Sequence, residues 1–441
     1  MTSDVERGAM VIKGKIKTGY AVLGSPHSLI MQSNNDITKN DDPAQTMEMA
    51  SKAKFSTITT SLVFELLKKA GIPVAYERQL SETEFLTARC QMIPLEVVIR
   101  RYADGSYLKR HPNLKQKIPL WPHRFHNLVF ELFLKTTGGK AVTDDGTVFV
   151  ETPIDSANGR PIDDPFISNP ENSIWDLKHP KFPSWDGQSN LNCCVFRKNV
   201  LPDGVTVEKI KEIAHKVFLV LENAWAQLGY RLVDFKIELG IDCNGRLLVA
   251  DVIDNDSWRL RTKDWEEISK QLFRDNFDMN IVADKYALVA ELVGRFVIPR
   301  QAIVLWRASD SDTFPEFPEV AGVTQIKVTE SGHKSPLACL MTLENILAQF
   351  PEGGVILAVV GMSNGLGPML ASRTSWPVIA VPQTAKERPH DVWSSLDVPS
   401  NVPLLTILSS KNAVLAALNI LAQKNPVASM HRQYALEKLD E

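Results

Sequence analysis

At 441 residues the chain is too long for one ordinary hydrophobic core, so two domains are expected. Its 44% hydrophobic and 23% charged residues, with a formal net charge of −3, exclude a general electrostatic pull toward nucleic acid or anionic membranes. Five cysteines without a CxxC pair point to reduced thiols, the polar N-terminus to no signal peptide, and no apolar run reaches the roughly 18 residues of a membrane span, so the cytoplasm is the expected compartment.

Residues 9–35 read as short strands joined by turns. Residues 47–70 read as a helix, because Phe55, Ile58, Leu62 and Leu66 recur at i+3/i+4 steps and Gly71 and Pro73 close it. Residues 90–110 hold a strand and then an arginine-rich helix or turn. Residues 136–205 are dense in Gly, Pro, Asn, Asp and Ser, the composition of a long, partly disordered surface excursion. Ile210, Ile213, Val217, Leu221 and Ala224 give one helical stripe, stopped by Gly229. Two strands and further helix carry the chain to about Val297. Beyond it, short apolar runs at 303–306, 355–360, 378–381 and 404–408 alternate with helical or loop segments, as in a parallel sheet covered on both faces. A boundary near Ile298-Pro299-Arg300 therefore separates a mixed α+β domain, residues 1–297, from a smaller α/β doubly wound one, residues 298–441.

The chemistry concentrates in residues 233–259. Strict alternation puts Asp234, Lys236 and Glu238 on one strand face and Val233, Phe235, Ile237 and Leu239 on the other. Asn244-Gly245 is a hairpin signal, and a two-residue loop there pairs Glu238 with Asp251. Two carboxylates face to face repel unless a cation lies between them, and hard oxygen ligands suit Mg²⁺ with phosphates completing its shell. Lys236 is placed to hold a second anion. A solvent-facing hairpin with ordinary surface charges explains the alternation equally well, but the charges of 254–259 at the strand end have the look of a ligand rim.

These residues resemble a known signature. Asp234-Phe-Lys-Ile-Glu-Leu-Gly240 and Ala250-Asp-Val-Ile-Asp-Asn-Asp-Ser-Trp-Arg-Leu260 are similar to the SAICAR synthetases, which use ATP to join aspartate to the carboxylate of the ribonucleotide CAIR. Lys13-Gly-Lys-Ile-Lys17 resembles that family's phosphate loop, Ser33-Asn-Asn-Asp-Ile-Thr38 its substrate loop and Met92-Ile-Pro94 its adenine segment. Residues 96–106 resemble its CAIR segment, and Ser269-Lys-Gln-Leu-Phe-Arg274 a late Lys-Gln…Arg element. The C-terminal part resembles the AIR carboxylases of animals through Gly332-His-Lys334, Gly361-Met-Ser-Asn-Gly-Leu-Gly-Pro368 and Asp391-Val-Trp-Ser-Ser-Leu396.

The resemblance implies an ATP-binding α+β ligase domain followed by a doubly wound, flavodoxin-like domain. For the first it implies an acyl phosphate displaced by the aspartate amine. ATP would meet Gly14, Lys15, Lys17 and Met92, and Glu238 and Asp251 would hold Mg²⁺. Asp36, Glu96, Arg100, Ser106, Lys135, Asp256, Arg259 and Arg274 would surround CAIR and aspartate, with Lys236 in a catalytic position. For the second it implies carboxylation of AIR by CO₂ without ATP or biotin, His333 as acid and base, and Ser309, Asp310, Ser331, Lys334, Ser363, Asn364 and Gly365 around the substrate. It also implies a homo-octamer. Two departures stand out. The acidic pair expected after Lys135 is replaced by Thr136-Thr137-Gly138-Gly139 and a long insertion, leaving Asp163-Asp164-Pro165 as its substitute. Arg307 replaces the glycine that opens the carboxylase phosphate cradle, and Met362 an arginine, so an assembly module is the alternative to an active second enzyme.

Overall fold

The computed structural model describes residues 5–14, 17–38, 46–115, 122–143, 146–183, 185–275 and 277–439. Lys15 falls outside them. The chain forms two compact units, Met1–Phe296 and Val297–Glu441.

The first unit is built on two antiparallel sheets. The smaller runs in the order Arg7–Lys13, Lys17–Val22, Ser25–Ser33, Glu84–Ala88 and Tyr76–Gln79. Helix Lys52–Lys69 belongs with it. This helix starts five residues later than its apolar period suggests, because Thr46–Glu48 pairs as a strand with Asp36–Thr38 and Ser51 takes a left-handed φ of 63°. Its first turn is closed by Asn35, whose Oδ1 accepts from the Ala53 N–H at 3.1 Å.

The larger sheet has Tyr230–Ile241 at its centre. Leu95–Tyr102 pairs along one side of this strand, Leu247–Ala250 and Trp258–Thr262 along the other. One face is apolar and lies under helix Val207–Gln227, whose Val217, Phe218, Leu221 and Trp225 are fully buried. The opposite face carries Asp234, Lys236 and Glu238, as alternation requires.

The hairpin register differs from the sequence expectation by one residue. Glu238 lies opposite Ala250, not Asp251. Asp242-Cys-Asn-Gly245 closes a turn through Gly245 N–H to Asp242 C=O at 3.0 Å, and Gly245 alone is left-handed, with φ 75°. Asp at the first position and Gly at the fourth favour this three-residue loop. The Asp242 carboxylate reinforces it by accepting from the N–H groups of Asn244 and Arg246 at 2.9 Å each.

The segment read as a partly disordered excursion holds strands among its described residues. Phe166–Ile167, Ile174–Lys178 and Asn190–Phe196 extend the large sheet outward from Arg124–Leu134. Trp175 and Leu177 have no exposed surface, so this extension has a core of its own.

The second unit is a parallel sheet in the order Val323–Thr329, Gln301–Arg307, Gly354–Val360, Val378–Pro382, Leu404–Thr406. The four apolar runs of the sequence are four of these strands. The fifth, Val323–Thr329, is an edge strand with mostly exposed side chains, which removes the apolar signal. Strand order 2-1-3-4-5 places its switch point at the carboxyl ends of Gln301–Arg307 and Gly354–Val360.

Candidate active sites

In the first unit the polar face of the central strand forms the floor of two adjoining cavities. One, of about 410 Å³, is lined by Gly14, Lys17, Glu96, Lys135, Lys236, Glu238, Asp251, Asp256 and Arg274, among others. The other, of about 200 Å³, is lined by Glu96, Arg100, Ser106, Asp234, Lys236, Asp256, Arg259 and Arg274, among others. Lys236, Glu96, Asp256 and Arg274 belong to both, so the two form one cleft.

Asp251 reaches this cleft despite the register. The strand ends at Ala250, and Asp251 adopts φ 62°, a conformation that asparagine and aspartate tolerate best after glycine. That turn returns its carboxylate to the Glu238 side. Each carboxylate meets an ammonium: Lys17 pairs with Asp251, and Lys135 Nζ lies 2.6 Å from Glu238 Oε1. Burial opposes the Glu238 charge, but Lys135 and Lys17 outweigh it and hold the carboxyl below its usual range. Burial brings Lys17 down to about 8, against the opposing pull of Glu238.

At the other end, Arg100 Nε donates to Glu131 Oε2 at 2.6 Å and its Nη2 to Ser106 Oγ at 3.3 Å. Arg100 and Arg259 both donate to Asp234 Oδ2. A side chain on Gly105 would collide with the Arg259 guanidinium, so this glycine lets Arg259 lie against the backbone just before Ser106. Lys236 Nζ is 2.6 Å from Glu96 Oε1 across the sheet. Asp256 is held by Lys52 at 3.3 Å, Lys270 at 3.1 Å and the Tyr286 hydroxyl. Those two ammonium groups overcome burial and keep its carboxyl well below the usual range.

Among the described residues, those predicted for the first unit thus assemble, with two exceptions. Asp36 pairs in register with Glu48 and acts on Lys52, and it does not line the described cavities. Met92 lies opposite Gly240 and is 40% exposed. Sequence reasoning gave no role to Asp234, Glu131, Lys52 or Tyr286. Asp234 was legible as a member of the polar strand face, but the others are brought in only by packing.

In the second unit the loops at the carboxyl ends of the strands interlock. His333 Nε2 is 2.7 Å from the Ser363 carbonyl oxygen, and a Cβ on Gly365 would fall within 2.4 Å of the imidazole Cε1. Ser363 has φ 51°, and its N–H donates to both oxygens of Asp391, at 2.8 and 2.9 Å. Asn364 Nδ2 donates to Ser395 Oγ at 2.9 Å, and its Oδ1 accepts from Gly367 N–H at 2.7 Å. Ser331 Oγ accepts from the Lys334 N–H at 3.2 Å, closing the His333 turn.

Most of the Arg307 donors are engaged. The guanidinium donates to Thr329 Oγ1 at 2.8 Å, to Asp310 Oδ1 at 2.5 Å and to the Asp312 carbonyl at 3.2 Å, and lies 4.6 Å over the Phe314 ring. Ser309 and Asp310, expected from the sequence to meet substrate, both make contacts within this loop. Ser309 is bonded to Ser311 at 2.6 Å and Asp310 points outward, 89% exposed. Asp312 turns inward instead: it is 7% exposed, its Oδ2 has no hydrogen-bond partner among the described residues, and burial raises its carboxyl above the usual range. Ser-Asp occurs twice in residues 309–312, so spacing alone did not choose between them.

The family model for SAICAR synthetase matches residues 10–148 and 195–290. A multifunctional protein of Caenorhabditis elegans, named "Probable multifunctional protein ADE2", is 31% identical over 97% of this chain and 93% of its own length. The chain belongs to the SAICAR synthetase family. Its second unit is an AIR carboxylase domain, matched over residues 302–439. The human bifunctional phosphoribosylaminoimidazole carboxylase/phosphoribosylaminoimidazole succinocarboxamide synthetase is 30% identical over 95% of this chain and 91% of its own. A solved SAICAR synthetase in complex with ADP covers 66% of the chain and 99% of itself at 24% identity, with a TM-score of 0.47. The SAICAR synthetase match is interrupted over residues 149–194, where this chain has the strands Phe166–Ile167 and Ile174–Lys178. No helix among the described residues is long and apolar enough to cross a membrane.

Proposed function

We propose that this chain catalyses two steps of purine biosynthesis: the second unit carboxylates AIR with CO₂ to CAIR, and the first joins L-aspartate to CAIR with ATP, giving SAICAR, ADP and phosphate. The observation that carries the ligase reading is the continuous cleft. Its Glu238–Asp251 end suits a metal and nucleotide phosphates, and its Arg100–Ser106–Arg259 end suits the phosphate of a ribonucleotide.

No group of three or more His, Cys, Asp or Glu side chains among the described residues is placed to hold a metal alone. Two carboxylates that already draw ammonium groups fit a cation whose remaining ligands come from phosphate, as Mg²⁺ requires. Glu238 and Asp251 would hold it, and the ion would neutralise phosphate charge. Lys17 and Lys135, released from these carboxylates, then serve phosphate and acyl oxygens, while Arg100, Ser106 and Arg259 fix the nucleotide. In the second unit His333 moves the proton of the ring carbon that receives CO₂, and Asp312 joins Ser363, Asn364 and Gly365 around the substrate. No biotin takes part. The cytoplasm and a homo-octamer are the proposed setting and assembly.

Arg307 supports a second reading of the second unit as an assembly module, because most of its donors already meet its own loop and Thr329 of the neighbouring strand. One experiment separates these. Purified protein is given AIR and bicarbonate, then CAIR, ATP, Mg²⁺ and aspartate. ADP release that needs both CAIR and aspartate is expected, and its absence sinks the ligase reading. CAIR formation from AIR no faster than without protein leaves the assembly reading. Glu238→Ala should abolish ligation and leave carboxylation unchanged.

A further inference from the structure

The insertion after the strand Arg124–Leu134 does not simply leave the cleft. Its returning leg is sewn back beside the departing one: Leu134 N–H donates to the Pro165 carbonyl at 3.0 Å, and Thr152 Oγ1 donates to the Ile162 carbonyl at 2.6 Å. Two acids come back with it and line the larger cavity. Asp163 is spent on the loop, because its Oδ1 accepts from Thr136 Oγ1 at 2.9 Å and Gly139 N–H at 2.7 Å. Asp164 Oδ1 accepts only the Thr136 N–H, at 3.1 Å, and its Oδ2 accepts no hydrogen bond among the described residues. Its backbone is left-handed, φ 51°, a conformation that is uncommon for a non-glycine residue and clusters at functional sites.

Apart from Asp163, the other acids of that cavity have cationic partners. Glu96 pairs with Lys236, Glu238 with Lys135, Asp251 with Lys17 and Asp256 with Lys270. The Asp164 carboxylate instead accepts the Thr136 N–H, while the Asp164 backbone N–H donates to the Thr136 hydroxyl. An amino dicarboxylic acid brings two negative groups and one positive group. The lysines and Arg274 suit the first two, which leaves Asp164 for the third.

We propose that Asp164 binds the amino group of the incoming aspartate and accepts its proton as the amide forms; this rests on the ligase reading above. The ammonium passes one proton to the Asp164 carboxylate, which frees the nitrogen lone pair. The new N–C bond forms at the acyl carbon, the C–O bond to phosphate breaks, and phosphate leaves with the electron pair. The second proton lost from nitrogen goes to the departing phosphate, and Asp164 returns its own to solvent. The groups facing Asp164 are Asp163 and Thr136 on its loop, Glu96 on Leu95–Tyr102 and Lys236 on Tyr230–Ile241. Burial, then Glu96, raises its carboxyl to about 6, against the pull of the Thr136 N–H and Lys236. A carboxylate so raised is a better base at neutral pH than an ordinary one.

The test compares full-length wild type, Asp164→Asn and Asp164→Glu. Asp164→Asn is expected to lower kcat/KM for aspartate by about a hundredfold or more, leave KM for ATP and CAIR within about threefold, and lose the acidic limb expected of wild type near pH 6. Asp164→Glu should recover part of the loss together with a limb. The proposal is overturned if Asp164→Asn keeps kcat/KM for aspartate within about threefold, if the acidic limb persists in it, or if KM for all three substrates rises together, which marks a structural role. Wild type that releases no ADP with CAIR and aspartate is a separate outcome: the ligase reading fails first, and this proposal with it.

Discussion

Asp234 stands directly opposite Arg100 on one neighbouring strand and Arg259 on the other, and its carboxylate accepts a hydrogen bond from both. The chain of charges continues through Arg100 to Glu131 and Arg110, so three guanidinium groups share two buried carboxylates. The surplus positive charge faces the smaller cavity, where a phosphate is expected.

Replacing Asp234 by Asn removes the link between the two arginines without changing shape. A buried ion network that loses one member is typically destabilised by roughly 3–5 kcal/mol. Urea unfolding of Asp234→Asn should show a loss of that order. KM for CAIR should rise about tenfold, with KM for ATP little changed, because the arginines lose their alignment and the metal end does not.

Glu131 makes stability depend on acid. Burial alone would raise its carboxyl, but Arg100 and Arg110 outweigh burial and hold it below the ordinary value of 4.5. A depressed folded value stabilises above the unfolded one, and the contribution is lost as pH falls through the folded value. Wild type should therefore lose unfolding free energy below about pH 4.5. Glu131→Gln should be less stable at pH 7 and show a shallower acid dependence, measured by urea melts across that range.

Trp175 tests whether the insertion is part of the folded unit. Its side chain is fully buried, and its Nε1 donates to the Pro170 carbonyl at 2.9 Å. Trp175→Ala should cost about 3–5 kcal/mol, the range for a buried aromatic truncated in a core. Limited proteolysis should then cut first within residues 149–194. An unchanged melt and cleavage pattern would mean that the added strands carry no stability of their own.

Gly365 gives a probe of the second unit that leaves the first untouched. A methyl group there would occupy the position of the His333 ring. Displacing a proton-transfer group by about 1 Å can cost a hundredfold. Gly365→Ala should lower CAIR formation from AIR by about that factor, while ADP release in the ligase assay stays at the wild-type rate.

Much of the fold was legible because it rests on local periodicity. The stripe from Ile210 to Ala224 became helix Val207–Gln227, and four apolar runs became parallel strands. The strands of the insertion were not legible. They are short, and Ile167, Trp175 and Leu177 are scattered among turn residues, so their burial comes from joining a sheet that already exists. The loop after Arg307 illustrates the same limit. Two Ser-Asp pairs stand side by side, and only in the folded loop does Arg307 hold Asp310 outside while Asp312 faces inward.

The alternation from Val233 to Leu239 determined, without any neighbour, that Asp234, Lys236 and Glu238 share one face, because side chains on a strand must alternate. It did not determine what they face. The three-residue loop moved the partner strand by one residue, and the left-handed turn at Asp251 brought its carboxylate back to Glu238. Lys17, Lys135 and Asp164 reach the same cleft from distant parts of the chain. Local sterics act over a few residues and can be read along the sequence. Ion pairs act through space, and only the folded chain decides which charges meet.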